Sequence, residues 1–452
     1  MKILLINISQ NWNGRVYLEY PLGLGIIGTI LKQDSHDVKI HDMNVSQESI
    51  TSVVKLFKPD IVGISFLSTS AYTAFEIIKE LKKIKKFHLI AGGIHSSIYY
   101  EEVLKMGVDI VVIGEAEYTI LPLVKILSNT NYSNYHNQDR FKNIKNIAFK
   151  KDKLSIYVSD INESVQNLDE LPFIERSLYD LEKYSHHSII SSRGCAHRCR
   201  FCSSQNILGK RPKVFSINRI VDEIEYLQSK YGNTKLYWAD DMFFYTQKER
   251  INFCNELIKR NINIDYVIQL RADNINEELV NALKLTGCSK LAIGAESGSN
   301  KILKTIKKGI TVNQIETAIN LVKEADLRIK TWWIIGLPGE YKEQLKSMEL
   351  IKKTLPNEIA IHTFIPLPGS YFWNNHNDFG IALPKNIEQL EKTYYSIPEY
   401  SAFSYLSYSQ IVELINYYEL ELKNLNYIPT DNATTDNKFI YTTPNQKSTF
   451  KI

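Results

Sequence analysis

Strand-like apolar runs that alternate with helical segments constrain this chain more than any other feature. "KILLINI" (2–8), "DVKIHDM" (37–43), "PDIVGISFLS" (59–68), "FHLIAGGIH" (87–95) and "VDIVVIGEAE" (108–117) read as five strands. Helical stretches such as "AYTAFEIIKELKKIKK" lie between them. Ile/Val/Leu-rich runs of this kind are buried on both faces, as in a parallel sheet covered by helices on either side. Such sheets bind ligands beyond the carboxyl ends of their strands. Ser68, Thr69 and Ser70, then Gly92, Gly93 and His95, then Gly114, Glu115 and Glu117 stand at those ends.

The alternation pauses over 128–185, which begins with the Asn-rich "SNTNYSNYHNQDRFKN" and reads as a linker holding a two-strand ribbon at "NIAFKKDKLSIYVS". It resumes at 186. "SIISSRGC", "KLYWADDMF", "DYVIQLRAD", "KLAIGAES", "IKTWWIIGLPGE" and "EIAIHTFIPLPGS" are six further strands up to 395, with helices between them. Six βα repeats with polar residues at the strand ends predict a partial barrel of parallel strands, since the closed eight-strand form needs more chain. Residues 396–428 read as a helical C-terminal region, and the Thr/Asn/Lys-rich 429–452 as a disordered tail. The fold class expected is therefore α/β: a doubly wound sheet over 1–127, a linker, and a partial (β/α)6 barrel over 186–395.

Composition narrows the function. A net charge of +4 over 452 residues gives no electrostatic footprint for nucleic acid. No apolar stretch reaches membrane-spanning length and the start lacks a signal peptide, so a cytoplasmic location is expected. Thiols stay reduced there, so clustered cysteines point to a metal or redox site. Three of the five cysteines, Cys195, Cys199 and Cys202, fall within eight positions in "GCAHRCRFC". Cys254 and Cys288 stand alone and read as small buried apolar residues.

Three thiolates on one loop suit zinc or an iron–sulfur cluster. Structural zinc wants a fourth ligand, and His197 inside the loop or the distant Cys254 would have to supply it. A cubane held by three cysteines instead leaves one iron open. The spacing Cys-x3-Cys-x2-Cys, with Phe201 before the last cysteine, resembles the signature of the radical S-adenosylmethionine (SAM) enzymes. Ala196 stands where relatives often have Pro. The resemblance implies that the open iron chelates the amino and carboxylate groups of SAM and that its cleavage yields a 5′-deoxyadenosyl radical. It also implies SAM contacts at later strand ends. These are Asp240 and Asp241 after the second strand, Arg271 after the third, Glu296 and Ser297 after the fourth, and Gly336 and Pro338 in "GLPGE" after the fifth. Taken singly, such acids also serve as helix caps and Gly-Pro pairs as turns.

The first half carries neither G-x-G-x-x-G nor a Walker loop. "YPLGLGIIGTILKQDSHDVKIHD", "PDIVGISFLSTS", "LIAGGIHSSI" and "DIVVIGEAEYTI" resemble the cobalamin-binding domain fused to many radical SAM enzymes. D-x-H-x-x-G is absent, so the resemblance implies base-off cobalamin without a His ligand to cobalt. Ser68, Thr69, Ser70, Gly92, Gly93, His95, Gly114, Glu115 and Glu117 are its expected contacts, and the aromatic loop "SQNWNG" (9–14) is expected to overhang the cofactor. The family resemblance implies methyl transfer from methylcobalamin to an unactivated carbon. It implies a small-molecule or peptide substrate and an electron donor such as flavodoxin or ferredoxin. Alternatives are a cyclase or ring-rearranging enzyme that uses cobalamin without methyl transfer, and a non-catalytic cobalamin or metal sensor. The Tyr-rich 394–410 is expected to close the site.

Overall fold

Two sheets organise the chain, as the two series of strand-like runs require. The computed structural model describes residues 1–8, 19–84, 86–129, 138–152, 154–204, 211–232, 235–395, 405–435 and 438–443. The loop 9–14 and most of the Tyr-rich stretch lie outside the described residues. The chain divides into two units: Met1–Tyr184 with Asn386–Glu391, and Ser185–Lys385 with Lys392–Ile452.

The first unit is built on β1 (Lys2–Asn7), β2 (Asp37–Asp42), β3 (Ile61–Ser65), β4 (His88–Gly92) and β5 (Ile110–Val112), all parallel, in the order β2-β1-β3-β4-β5. Strand order reverses between β1 and β3, which puts the ligand crevice of such a sheet at their carboxyl ends. Side chains such as Leu4, Ile6, Val62, Ile64, Leu89 and Val111 are buried beneath the helices Ile50–Phe57, Ala71–Lys83 and Tyr100–Met106. The expected linker differs from the structure. Its ribbon, β6 (Ile147–Lys150) and β7 (Ile156–Val158), adds antiparallel to β5 and extends the sheet to seven strands. Ile147, Ala148 and Phe149 are fully buried there, so the ribbon is core and the unit ends at Tyr184 rather than 127.

The second unit holds six parallel strands in sequence order: β8 (His187–Ile189), β11 (Lys235–Trp238), β12 (Asp265–Leu270), β13 (Cys288–Glu296), β14 (Arg328–Ile335) and β15 (Glu358–Thr363). Between β8 and β11, β9 (Ser192–Arg193) and β10 (Lys213–Val214) pair as a short antiparallel clasp on either side of the cysteine loop. The disordered tail expected over 429–452 is corrected for the described residues 429–435 and 438–443, the rest lying outside them. β16 (Ile428–Thr435) and β17 (Lys438–Thr442) form a hairpin whose second strand pairs antiparallel with β15. Its Ile440 packs on Ala360, which a polar composition alone did not reveal. The helix Tyr408–Asn424 precedes the hairpin, with a capping box from Ser407 and Gln410.

Both ends of this sheet are charged. At its amino end Lys290 meets both oxygens of Glu358 at 3.1 Å, and Arg328 adds a 2.6 Å contact. All strands enter in parallel, so this buried triad sits opposite the loops that follow them. In barrels of parallel strands that face serves stability, and the carboxyl ends carry chemistry.

Candidate functional site

The loop from Gly194 to Cys202 leaves β9 with Gly194 at φ +89°, a conformation that favours glycine. It is pinned at Arg200. The Arg200 backbone N–H donates to Ile306 O at 2.8 Å and its carbonyl accepts from Phe372 N–H at 3.0 Å. The guanidinium donates to Thr305 O at 2.8 Å and lies 4.9 Å from the Tyr371 ring centre and 5.4 Å from that of Phe379. The loop backbone is therefore fixed next to two of the three thiols. All three cysteines are half-buried, and Cys254 and Cys288 are buried, as expected.

The strand ends gather around these thiols. Burial pushes the Cys195 thiol up; the charge of Asp241 adds to this and Arg271 opposes it. Burial likewise raises the Cys199 thiol, while Lys308 and Arg271 pull it down and Glu296 pushes it up. Cys202 acts on both. Thiolate ligands must shed their protons, so the two cations favour the ligating form. Among the described residues, no three His, Cys, Asp or Glu side chains converge as ligands of one ion.

Glu296 occupies an unusual position. The register of β13 against β14 shifts between Gly294 and Glu296, and Glu296 takes φ +62°. Bulges and left-handed non-glycine residues gather at functional sites because they re-aim a side chain at a cost the surroundings must overcome. Here the carboxylate turns to Lys308, 2.7 Å away, and both side chains are buried. Gly294 is needed for this: a Cβ there would stand 2.3 Å from Glu296 Oε1 and 2.9 Å from Lys308 Nζ. The Lys308 ammonium also lies 5.9 Å from the ring centre of Phe201. Lys308 was not among the residues expected from the sequence. It sits in "KKG" after a short helix, where it reads as surface charge.

The other expected SAM contacts divide into open and occupied. Asp241 accepts from Ser204 Oγ at 2.8 Å and is exposed. Asp240 instead accepts the Ser191 N–H at 2.7 and 2.9 Å as well as the Ser191 hydroxyl. Desolvation pushes its pKa well above the carboxylate range. It ties β11 to the loop that leads into the cysteines. Arg271 is buried and forks onto both oxygens of Asp273 at 3.0 Å. Ser297 is buried, and its Oγ accepts from Ser299 N–H at 3.1 Å. Gly336, at φ +85°, donates to Gln344 Oε1 at 3.2 Å, and Gln344 donates to Leu337 O at 2.8 Å, which shapes the turn around Pro338.

At the carboxyl ends of β3 and β4 the chemistry is neutral. The turn Ser68–Ser70 is buried, and Ser68 Oγ lies 3.0 Å from His95 Nδ1. His95 is 1% exposed between Phe66 and Tyr99, with ring centres 5.3 and 5.0 Å away. Burial pulls its pKa down to about 4, so the imidazole is neutral near pH 7. Its Nε2 and the adjacent Ser96 Oγ are buried without a hydrogen-bond partner among the described residues. Such atoms cost free energy until something engages them. Gly93 stands at φ +87°, where a Cβ would meet Ser65 Oγ at 2.7 Å, whereas a Cβ on Gly92 meets nothing within 4 Å. Ser97 Oγ links Gly93 O at 2.8 Å with the Gly114 N–H at 2.9 Å. Glu115 accepts from Val165 N–H at 2.7 Å, and Glu117 is buried.

Comparison with known proteins agrees with this division. The B12 binding domain matches residues 15–124 and the Radical SAM superfamily matches residues 189–351. An uncharacterized methyltransferase of Pyrococcus horikoshii is 30% identical over 365 residues, which span 78% of this chain and 77% of that one. The anaerobic magnesium-protoporphyrin IX monomethyl ester cyclase of Cereibacter sphaeroides is 27% identical over 69% of this chain, and the match spans about half of the cyclase, 52%. In fold, the chain resembles the radical SAM methyltransferase TsrM from Kitasatospora setae, solved with cobalamin and a [4Fe-4S] cluster, at a TM-score of 0.68 and 16% identity. That match covers 82% of this chain and 73% of TsrM. No helix among the described residues is long and apolar enough to cross a membrane.

Proposed function

We infer the reaction from one premise: the chain belongs to the cobalamin-dependent radical SAM enzymes, in which a B12-binding domain is fused to a radical SAM domain. The proposed activity is methylation of an unactivated carbon in a small-molecule or peptide substrate. The observation that carries the SAM half is the gathering of Asp241, Arg271, Glu296 and Lys308 around Cys195 and Cys199. A [4Fe-4S] cluster and SAM supply a hydrogen-abstracting radical, and methylated cobalamin supplies the methyl group.

The protein's part is binding and orientation. Cys195, Cys199 and Cys202 would hold the cluster, with Arg271 and Lys308 offsetting its negative charge. Asp241, exposed beside the cysteine loop, is the acid we assign to the amino group of SAM, and Asp240 holds the loop beneath it. Phe201, Glu296, Ser297 and the turn at Gly336 and Pro338 would border the rest of SAM. On the sheet unit, Gly92, Gly93 and Gly114 leave backbone open for cobalamin, without a His ligand to its cobalt. Ser68, Thr69, Ser70, His95 and Ser96 offer neutral polar atoms to it. Glu115 and Glu117 are assigned the support of the β5 end. A flavodoxin or ferredoxin would supply the electron.

The cyclase relative supports a second reading, in which cobalamin assists ring formation without donating methyl. Anaerobically reconstituted enzyme, cobalamin and methyl-labelled SAM decide between them. Methylation predicts S-adenosylhomocysteine together with 5′-deoxyadenosine, and the label on extracted cobalamin and on product. Formation of 5′-deoxyadenosine alone, with candidate substrates present and consumed, sinks methylation.

A further inference from the structure

The helix Ala71–Lys83 begins without a cap of its own. Ser70 stands at its N-cap, but no side-chain cap bond forms, and the hydroxyl turns to Leu67 O at 3.3 Å. Its first turn holds no acidic residue. The N–H groups of a first turn need acceptors from elsewhere. Here the acceptor is Glu391. One carboxylate oxygen accepts the N–H groups of Tyr72 at 2.9 Å and Thr73 at 3.0 Å, and the other accepts the Thr73 hydroxyl at 2.5 Å. Its charge also lies at the positive end of the helix dipole.

A second observation is independent of this cap. Asn386–Glu391 groups with the sheet unit, although the chain on both sides of it groups with the barrel unit. Ile387 packs against the core of the sheet. Asn386 accepts from Gln389 N–H at 2.8 Å and starts the short helix that presents Glu391.

The segment capped in this way directly follows Ser68, Thr69 and Ser70, and Ser68 fixes His95. We propose that Asn386–Glu391 is a strap that presets the cobalamin end of the sheet. Glu391 is the positioning residue for the Ser68–Ser70 turn and, through Ser68, for His95. This rests on the reading that cobalamin binds at that end. Without Glu391, two N–H groups and a hydroxyl lose their acceptor. The turn gains freedom that binding must then remove, and affinity falls.

The test titrates hydroxocobalamin into full-length wild type, Glu391→Ala, Glu391→Gln and Gly92→Phe. The phenyl group of Gly92→Phe enters space that the fold leaves open and blocks the cofactor, so it tests the premise. The strap predicts an about tenfold weaker Kd for Glu391→Ala and a smaller loss for Glu391→Gln, which keeps one acceptor. It also predicts faster amide exchange over 71–75 and an unchanged EPR signal from the reduced cluster. If Glu391→Ala does not fold, Glu391→Gln carries the comparison. The proposal is overturned if Gly92→Phe weakens binding while both Glu391 variants bind within about twofold of wild type. If Gly92→Phe binds like wild type, the cobalamin assignment fails and the strap loses its basis.

Discussion

At the carboxyl ends of their parallel strands the two units differ in electrostatics, one charged and the other neutral. The barrel unit gathers charge there: Asp241, Arg271, Glu296 and Lys308 act on the Cys195 and Cys199 thiols, with Arg271 forked onto Asp273 and Lys308 paired with Glu296. The sheet unit gathers neutral groups at β3 and β4: serines, open glycine backbone and an uncharged histidine. On the proposed function, the difference follows from what each end would hold. Thiolates on iron carry negative charge and need cations within reach. A large neutral-surfaced cofactor needs room and hydrogen-bond partners, and fixed charge would have to be desolvated against it.

The comparison breaks most completely at the cysteines. Replacing any of Cys195, Cys199 or Cys202 with Ala should abolish SAM cleavage and remove most bound iron, while cobalamin affinity stays at the wild-type value. Iron and sulfide analysis alongside a cobalamin titration checks both. Loss of cobalamin binding in these variants would show that the two ends do not act separately. Next in size is Lys308→Met, which leaves Glu296 buried, left-handed and unpaired. Breaking a buried pair in this way costs about 3–5 kcal/mol, and replacing both partners restores much of it. A double-mutant cycle with Glu296→Gln, read by chemical denaturation, should show that recovery. Simple additivity would mean the pair is not coupled.

Histidine titration sharpens the contrast at a smaller scale, because each unit holds a buried imidazole whose pKa burial depresses strongly. Burial lowers both His95 and His186 to about 4. A base with a depressed folded pKa favours folding fully above its unfolded pKa of about 6.5. That contribution shrinks as pH falls from about 6.5 toward 4, by up to ~3 kcal/mol per group. His95→Gln should flatten the acid sensitivity of the sheet unit and His186→Gln that of the barrel unit. A melting profile against pH that neither variant changes would exclude these groups as its source.

The strand series was legible because a parallel sheet buried on both faces writes continuous apolar runs, and all eleven expected strands are present. The ribbon Ile147–Lys150 and Ile156–Val158 was read as a ribbon but placed in a linker, and the strands Ile428–Thr435 and Lys438–Thr442 were read as a disordered tail, for one reason. Polar, Asn- and Thr-rich flanks resemble linkers, while the pairing that orders them comes from distant strands, β5 and β15. The cysteine loop was legible because its chemistry fixes its spacing. Lys308 was not, since nothing local distinguishes a buried lysine in "KKG" from a solvated one. Its meaning comes from the bulge that turns Glu296 toward it. Asp240 and Asp241 were a pair in sequence, and only geometry separates the one bound to Ser191 from the one exposed beside Ser204. Glu391 was invisible for a related reason, as its partners are 318 and 319 positions away.

The smallest predicted effect concerns the arginine inside the cysteine loop. Arg200 is cationic, and a neighbour of thiolates invites a purely electrostatic role that lysine would fill equally well. The geometry assigns it a second task. Its guanidinium faces two rings, Tyr371 and Phe379, while one N–H reaches Thr305 O. A planar group stacks and donates at once, and an ammonium does not. Arg200→Lys should therefore keep the cluster's iron content and lower the stability of the barrel unit by about 1 kcal/mol. Arg200→Ala should lose more, because the loop would keep only its backbone bonds to Ile306 and Phe372. Denaturation monitored by tryptophan fluorescence measures the loss, with iron analysis of the same samples. A lysine variant as stable as wild type would leave charge as the whole role of Arg200. The cysteine loop would then differ from the neutral cobalamin end in charge alone, and not also in how its backbone is held.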